Sequence, residues 1–477
     1  MTLYVNALPG RAGIRDESTP PFDVAVNTSN DPLLQQLRQQ GISEVECVVS
    51  DFSGIVRGKV ASLDRFLDEG GMRLPESVLL QTVTGDFVDD EIFYALLDES
   101  GIDMFCRPAA HAVYRLPWLA EPTAMVIHDS LDRHGKPIEL SPRNVLKRVL
   151  SLYSDSGWQP VVAPELEFYL TKRSHDPDLP LQPPEGRSGR AESGRQSFSI
   201  EATHEFARLF EDVYHWCALQ GLDLDTLVHE SGPAQMEVNF HHGDPLRLAD
   251  QLIVFKRTLR EAALRHGISA TFMAKPIAHE PGSSMHIHQS VLDRATGTNL
   301  FASAHDSPSE RLLHYIGGLQ KYLPQMLPLL APNVNAFRRF LPDACAPVNV
   351  EWGEENRTVG LRVPAAPAAA MRVENRLPGA DANPYLAMAA SLLCGYLGLL
   401  EQVAPSAPVQ GRAYDRGGLR LPATLEEALV RMEACDLARE YLGDRFVQGY
   451  VAVKRTEQRN YHQVISAWER EHLLLRV

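Results

Sequence analysis

The strongest constraint on this chain is a set of ionisable side chains placed two residues apart inside runs that otherwise read as buried strands. "VVAPELEFYL" carries Glu165 and Glu167, "PGSSMHIHQS" carries His286 and His288, and "MRVENR" carries Arg372, Glu374 and Arg376. In a strand, residues i and i+2 point to one face. Each run would therefore turn its charged residues to one side and its apolar residues to the other. A further pair, Glu230 and Glu237, flanks Ser231-Gly232-Pro233, a turn signal that would fold both acids back toward one point. Taken singly, alternating acids are common on solvent-facing strands. Here the apolar neighbours make the strand mostly buried, where unpaired carboxylates are costly. Converging carboxylates repel unless a cation sits between them or one takes up a proton. Oxygen ligands with an imidazole and no thiolate suit hard divalent ions such as Mg²⁺ or Mn²⁺.

A strip of arginines points the same way. "FRRFLPDACAPVNVEWGEENRTVGLRVP" holds Arg338, Arg339, Arg357 and Arg362. The bland reading is surface ion pairing, which contributes little. Yet Arg362 lies within the apolar "VGLRVP", and Arg372 and Arg376 flank an acid. Guanidinium groups beside metals suit phosphate and carboxylate. The chain has no Walker A sequence and no GxGxxG after a strand, so any nucleotide is held by other means.

Between these strands run segments of helical apolar periodicity, among them "PLRLADQLIVFKRTLREAALRHG", "SERLLHYIGGLQKYLPQMLPLL" and "NPYLAMAASLLCGYLGLLEQV". The alternation gives an α+β fold class. Residues 1–30 read as a flexible arm, residues 31–135 as a small β-rich domain and residues 136–477 as a larger domain. The Pro/Gly/Ser/Arg-rich stretch 174–195 reads as a flexible surface insertion. A net charge of −15 argues against nucleic-acid and anionic-membrane partners. Six scattered cysteines without a CxxC pair suit a reducing cytoplasm. The first twenty residues show no apolar signal core. "PYLAMAASLLCGYLGLL" fits a buried helix better than a membrane span. The expected location is cytoplasmic.

Taken in order, "DFSGIVRGK", "PELEFYL", "HESGPAQMEVNF", "KPIAHEPGSSMHIHQS", "RRFLPDACAPVNVEWGEENRTVGLRVP", "RVENRLPGADANPYLAMAA" and "SAWEREHLL" resemble the glutamine synthetase family, class I-like, from about residue 45 to the C-terminus. Within it the chain looks most like the branch that γ-glutamylates organic amines, the γ-glutamylpolyamine and γ-glutamylputrescine synthetases. The resemblance implies an N-terminal β-grasp domain and a catalytic domain with an antiparallel sheet and packed helices. It also implies a homo-oligomer, a dodecamer of two hexameric rings. The implied substrates are glutamate, ATP and an amine, joined through γ-glutamyl phosphate with two or more Mg²⁺ (or Mn²⁺) ions per site. A role in polyamine catabolism follows from the branch.

The resemblance also assigns roles. Glu167, Glu230 and Glu237 would hold one metal, and Glu165, His286 and Glu374 the metal among the ATP phosphates. His288, Arg357, Arg362 and Arg372 would contact phosphate. Gly282, Arg339 and Arg376 would bind glutamate. The chain departs from glutamine synthetases proper at the amine end. Cys345 stands where they carry a flap acid, Pro281 replaces an Asn, and "ESVLLQTVTGDFVDD" occupies the place of the ammonium-binding loop. Losing those acids removes a cation partner and bulk, which points to a carbon-bearing amine with Cys345 at its subsite. A polyamine is one substrate class; an alkylamine, aniline or ethanolamine is another. Ammonium is a third, should Asp86, Asp89 or Asp90 restore the lost charge.

Overall fold

Alternating apolar residues in "EVECVVS" and the almost wholly buried "TAMVIHDSL" build the first of two sheets in the computed structural model, which describes residues 37–97, 100–303, 307–341, 346–415, 418 and 420–477. The expected arm, residues 1–30, lies outside the described residues. The first sheet contains β1 (Glu44–Ser50), β2 (Val56–Ser62), β3 (Met72–Pro75), β4 (Asp103–Arg115) and β5 (Thr123–Leu131), in the order β2-β1-β5-β4-β3. β1 and β5 run parallel and the other neighbours antiparallel. The β1–β2 turn is set by Asp51, whose carboxylate accepts from the Ser53 and Ile55 amides and from Arg57 Nε, each at 2.9 Å.

Ser141 and Pro142 then open the helix Pro142–Asp155, with proline in the first turn where its missing N–H costs nothing. The second sheet has eight strands: β6 (Trp158–Lys172), β7 (Leu224–His229), β8 (Gln235–Phe240), β9 (Ile268–Thr271), β10 (Met285–Asp293), β11 (Trp352–Glu354), β12 (Leu361–Val363) and β13 (Val373–Asn375). Their order is β11-β12-β13-β10-β6-β8-β7, with β9 pairing the far end of β6. All pairings are antiparallel except β11–β12 at the edge.

One face of this sheet packs on the helices Glu310–Leu330 and Pro384–Glu401. Gln289 on β10 bonds Ser391 and Tyr315 there, and Asn375 on β13 bonds Ser391. The helix Pro384–Glu401 is long and apolar enough to cross a membrane, yet 89% of it is buried in the protein. The Ser391 hydrogen bonds to the sheet and this burial mark it as the core helix the sequence suggests. Sequence periodicity did not single out the helix Asp444–His462. Its Phe446 and Tyr450 pack on Phe52 at 5.5 Å, and its Lys454 Nζ donates to Ser53 Oγ at 2.9 Å. Its Tyr450 hydroxyl donates to the Pro328 carbonyl at 2.7 Å, so that helix ties the β1–β2 turn to the helix Glu310–Leu330.

Candidate metal and phosphate site

The other face of the second sheet carries the ionisable residues. Register brings them together: Glu167 sits opposite Glu237, Glu165 opposite His286, His288 opposite Glu374, and Glu374 opposite Arg362. Directly opposed residues point to the same face. Pairing β8-β6-β10-β13-β12 thus lines up side chains far apart in the chain as one row. The apolar residues between them, such as Leu166 and Ile287, go to the helix side and are fully buried.

His288 Nε2 lies 2.8 Å from Glu165 Oε1, and His286 Nδ1 lies 3.3 Å from Glu165 Oε2 and 3.6 Å from Glu374 Oε1. Two groups of ligand atoms each converge within 4.8 Å: Glu165 with Glu237 and His286, and Glu165 with His288 and Glu374. These groups cut across the two sets drawn from the resemblance, with Glu165 common to both. Glu230 belongs to neither; its Oε2 accepts from the Ser231 amide at 3.3 Å. Glu167 is held by the Ser284 amide at 2.8 Å and by Gln235 Nε2 at 3.4 Å.

Electrostatics divides the acids. Burial pushes the Glu237 carboxyl up to about 10, and repulsion from Glu165, Glu167, Glu230 and Glu374 adds to it. Burial and then Glu230 push Glu167 up to about 8. Burial also raises Glu230. Glu165 and Glu374 go the other way. Burial would raise each, but hydrogen bonds from His286 and His288 hold Glu165 well below the usual range. Arg376, His286 and His288 together bring Glu374 to about 2. A surplus of buried negative charge on one side, and an imidazole nitrogen, His286 Nε2, buried without a partner among the described residues, are what a hard divalent cation satisfies. The donor set therefore fits the ions expected from it.

The arginines are placed in three ways. Arg362 Nη1 holds Glu374 Oε2 at 2.9 Å and Arg376 Nη1 holds Glu374 Oε1, so the central acid is gripped from both sides. Arg372 Nε lies 3.1 Å from His288 Nδ1 at the edge of the row. Arg357 is exposed on the β11–β12 turn and acts on Glu230 only through space. Arg339 is buried, donating to Ser284 Oγ at 2.9 Å and to the Leu377 carbonyl. Gly282 makes room for it: a Cβ there would lie 2.5 Å from Arg339 Cγ and 2.6 Å from the Ala274 carbonyl. Cys345 lies outside the described residues. Asp86 accepts from Asn460 at 3.2 Å, and Asp89 pairs with both Arg459 nitrogens at 2.8 and 3.0 Å.

Sequence reading passed over Glu192, in the 174–195 stretch. That stretch is largely exposed, as expected, but Glu192 turns inward. Its carboxylate lies 3.0 Å from His229 Nε2 and accepts from the Ala234 amide at 2.7 Å. Burial lowers the His229 imidazole, but Glu192 outweighs it and holds the ring above its usual value.

Comparison with known proteins bears on this geometry. The family model described as "Glutamine synthetase, catalytic domain" matches residues 139–473. The gamma-glutamylputrescine synthetase PuuA of Escherichia coli (strain K12) is 36% identical over 439 residues, 90% of this chain and 91% of that one. The glutamate–isopropylamine ligase of a Pseudomonas species is 31% identical over 441 residues, 91% of this chain and 95% of that one. The solved structure of apo GmaS without ligand superposes with a TM-score of 0.79 at 26% identity, covering 93% of this chain and 99% of that one.

Proposed function

The chain belongs to the glutamine synthetase family, and on that premise we propose that it joins the γ-carboxyl of glutamate to an organic amine, a polyamine such as putrescine or spermidine being favoured. The observation that carries the choice of amine is the 36% identity to a putrescine-using ligase over nine-tenths of both chains. The family reaction is an ATP-dependent carbon–nitrogen ligation. The proposed route runs through γ-glutamyl phosphate, with ADP and then phosphate released.

Glu167, Glu230 and Glu237 on one side and Glu165, His286 and Glu374 on the other are the residues that would hold divalent ions, Mg²⁺ or Mn²⁺. Such ions, when bound, neutralise charge on the phosphates and on the transferring group. The chain's own part is positioning. Arg362 and Arg376 fix the Glu374 carboxylate from two sides. His288, oriented between Glu165 and Arg372, would face the transferring phosphate. Arg357 and Arg372 would add positive charge at the rim, where a phosphoryl group spreads its charge over three oxygens. Arg339, Arg376 and Gly282 would frame the α-carboxylate of glutamate. We further propose a homo-oligomer, a dodecamer of two hexameric rings in the cytoplasm, serving polyamine breakdown.

A monoamine is the second reading, favoured by the 31% identity to an isopropylamine ligase. Phosphate release from purified protein with glutamate, ATP and Mg²⁺ tests both, across putrescine, spermidine, isopropylamine, ethanolamine, aniline and ammonium. Release with the diamine and polyamine supports the first reading, and release with isopropylamine alone the second. Release mainly with ammonium overturns both.

A further inference from the structure

The loop that carries Glu230 is held by an acid outside the strand row. Residues 230–235 fold back on themselves: the Glu230 amide donates to the Gln235 carbonyl at 2.8 Å, and the Gln235 amide to the Gly232 carbonyl at 3.0 Å. The turn ends on Ala234, whose φ of 54° puts a residue with a Cβ in the left-handed region. That conformation is disfavoured for such a residue and persists only when its surroundings hold it. Glu192 supplies the hold. One carboxylate, 7% exposed, takes the Ala234 amide at 2.7 Å and faces His229 Nε2 at 3.0 Å.

The His229 ring, fully buried, has Nδ1 2.8 Å from the Glu230 carbonyl. Both ring nitrogens face oxygen atoms, and the ring links Glu192 to the backbone of Glu230. Two further bonds run alongside: the Phe198 amide donates to the His229 carbonyl at 2.8 Å, and Ser197 Oγ meets Ser231 Oγ at 2.8 Å. On its other side Arg195 reaches Glu280 at 3.6 Å, next to the loop of Gly282.

We propose that Glu192 is a positioning residue for the metal-holding acids Glu230 and Glu237, acting through the His229 ring and the Ala234 amide. The inference rests on reading those acids as metal ligands. Glu230 precedes this turn and Glu237 follows it by three residues from Ala234. A turn free to relax would shift both carboxylates relative to Glu165 and Glu167. Partners of this kind, one step behind the ligands, typically change metal affinity by roughly 10–100-fold when removed.

The test uses the full chain with Mn²⁺ as probe. Calorimetry gives the Mn²⁺ dissociation constant, and phosphate release gives the Mg²⁺ concentration for half-maximal rate, for wild type, Glu192→Ala and Glu192→Gln. Glu192→Ala is expected to weaken Mn²⁺ binding roughly 10-fold or more and to raise the half-maximal Mg²⁺ in step, with kcat at saturating Mg²⁺ falling less. Glu192→Gln keeps an oxygen for the Ala234 amide but loses the charge facing His229, and should fall between. Thermal unfolding in EDTA reads any general loss of fold. A lower melting temperature with wild-type metal dependence overturns the inference. Should Glu192→Ala fail to fold, wild-type affinity in Glu192→Gln overturns it equally. Wild-type protein that binds no Mn²⁺ overturns the underlying reading of the acids, and that result is distinct from wild-type binding unchanged by either variant.

Discussion

Two clusters of buried charge, treated in opposite ways, distinguish the parts of this molecule. At the junction of the sheets, Arg143 donates to Asp250 through two nitrogens at 2.9 Å each and to Asp129. Lys147 meets the other Asp129 oxygen at 2.7 Å, and Tyr385 the Asp250 carboxylate at 2.6 Å. Two acids face two bases, and the hydrogen bonds close within the chain. On the open face of the second sheet, Glu165, Glu167, Glu230, Glu237 and Glu374 converge, and Glu167 and Glu237 are pushed up toward the protonated form. A buried charge that serves the fold is paired by the fold. A buried charge left in surplus is poised for something that arrives from outside.

The sharpest break of this comparison is Glu237→Gln. It should lower kcat/KM in the phosphate-release assay at least ~10³-fold, since metal-borne charge stabilisation is worth several kcal/mol. Its melting temperature without metal should stay near the wild-type value at neutral pH, because that carboxyl is already held toward the uncharged form. A large stability loss would place Glu237 with the structural charges instead. Asp250→Ala is the converse. It leaves Arg143 with Asp129 alone, an acid already shared with Lys147, and should cost about 3–5 kcal/mol, measured as a lower denaturant midpoint, whether or not metal is present.

Metal removal sharpens the contrast. Folded-state pKa values of about 8 for Glu167 and about 10 for Glu237 exceed the unfolded value of 4.5. The metal-free fold therefore holds more protons than the unfolded chain between these limits. The stability these two carboxyls contribute is full below pH 4.5 and is lost as pH rises toward 8 and 10. A bound cation removes that loss. Mg²⁺ at 100 times its dissociation constant should add about 2.7 kcal/mol, and the gap in melting temperature with and without it should widen from pH 6 to pH 9. A gap independent of pH would break the account. The smallest effect belongs to His128 in the first sheet. Burial lowers it from 6.5 to about 4, against the Nδ1 hydrogen bond to the Val126 carbonyl. The folded form keeps the ring neutral, so stability present above pH 6.5 is lost as pH falls toward 4. The loss should be about 1–3 kcal/mol, and His128→Asn should flatten it in a melting-temperature series.

The pattern Glu165-x-Glu167, His286-x-His288 and Arg372-x-Glu374-x-Arg376 was legible because side-chain alternation along a strand needs no knowledge of its neighbours. The helices Pro245–Arg265, Glu310–Leu330 and Pro384–Glu401 were legible from apolar spacing for the same reason. Glu192 was not, since it sits in a polar stretch whose composition reads as loop. Nor was the role of Gly282, whose missing Cβ makes room for Arg339 from a segment more than fifty residues later.

The sequence by itself determined which side chains share a face, because backbone geometry makes residues i and i+2 neighbours in any strand. It also determined, through the ordered motifs, the family and the chemistry of the donors. Only the tertiary structure decided which strand lies beside which: that β6 runs between β8 and β10, and that Glu165 meets His286 across 121 residues of chain. Pairing register and loop closure depend on packing against distant helices, and a local pattern contains no measure of those distances.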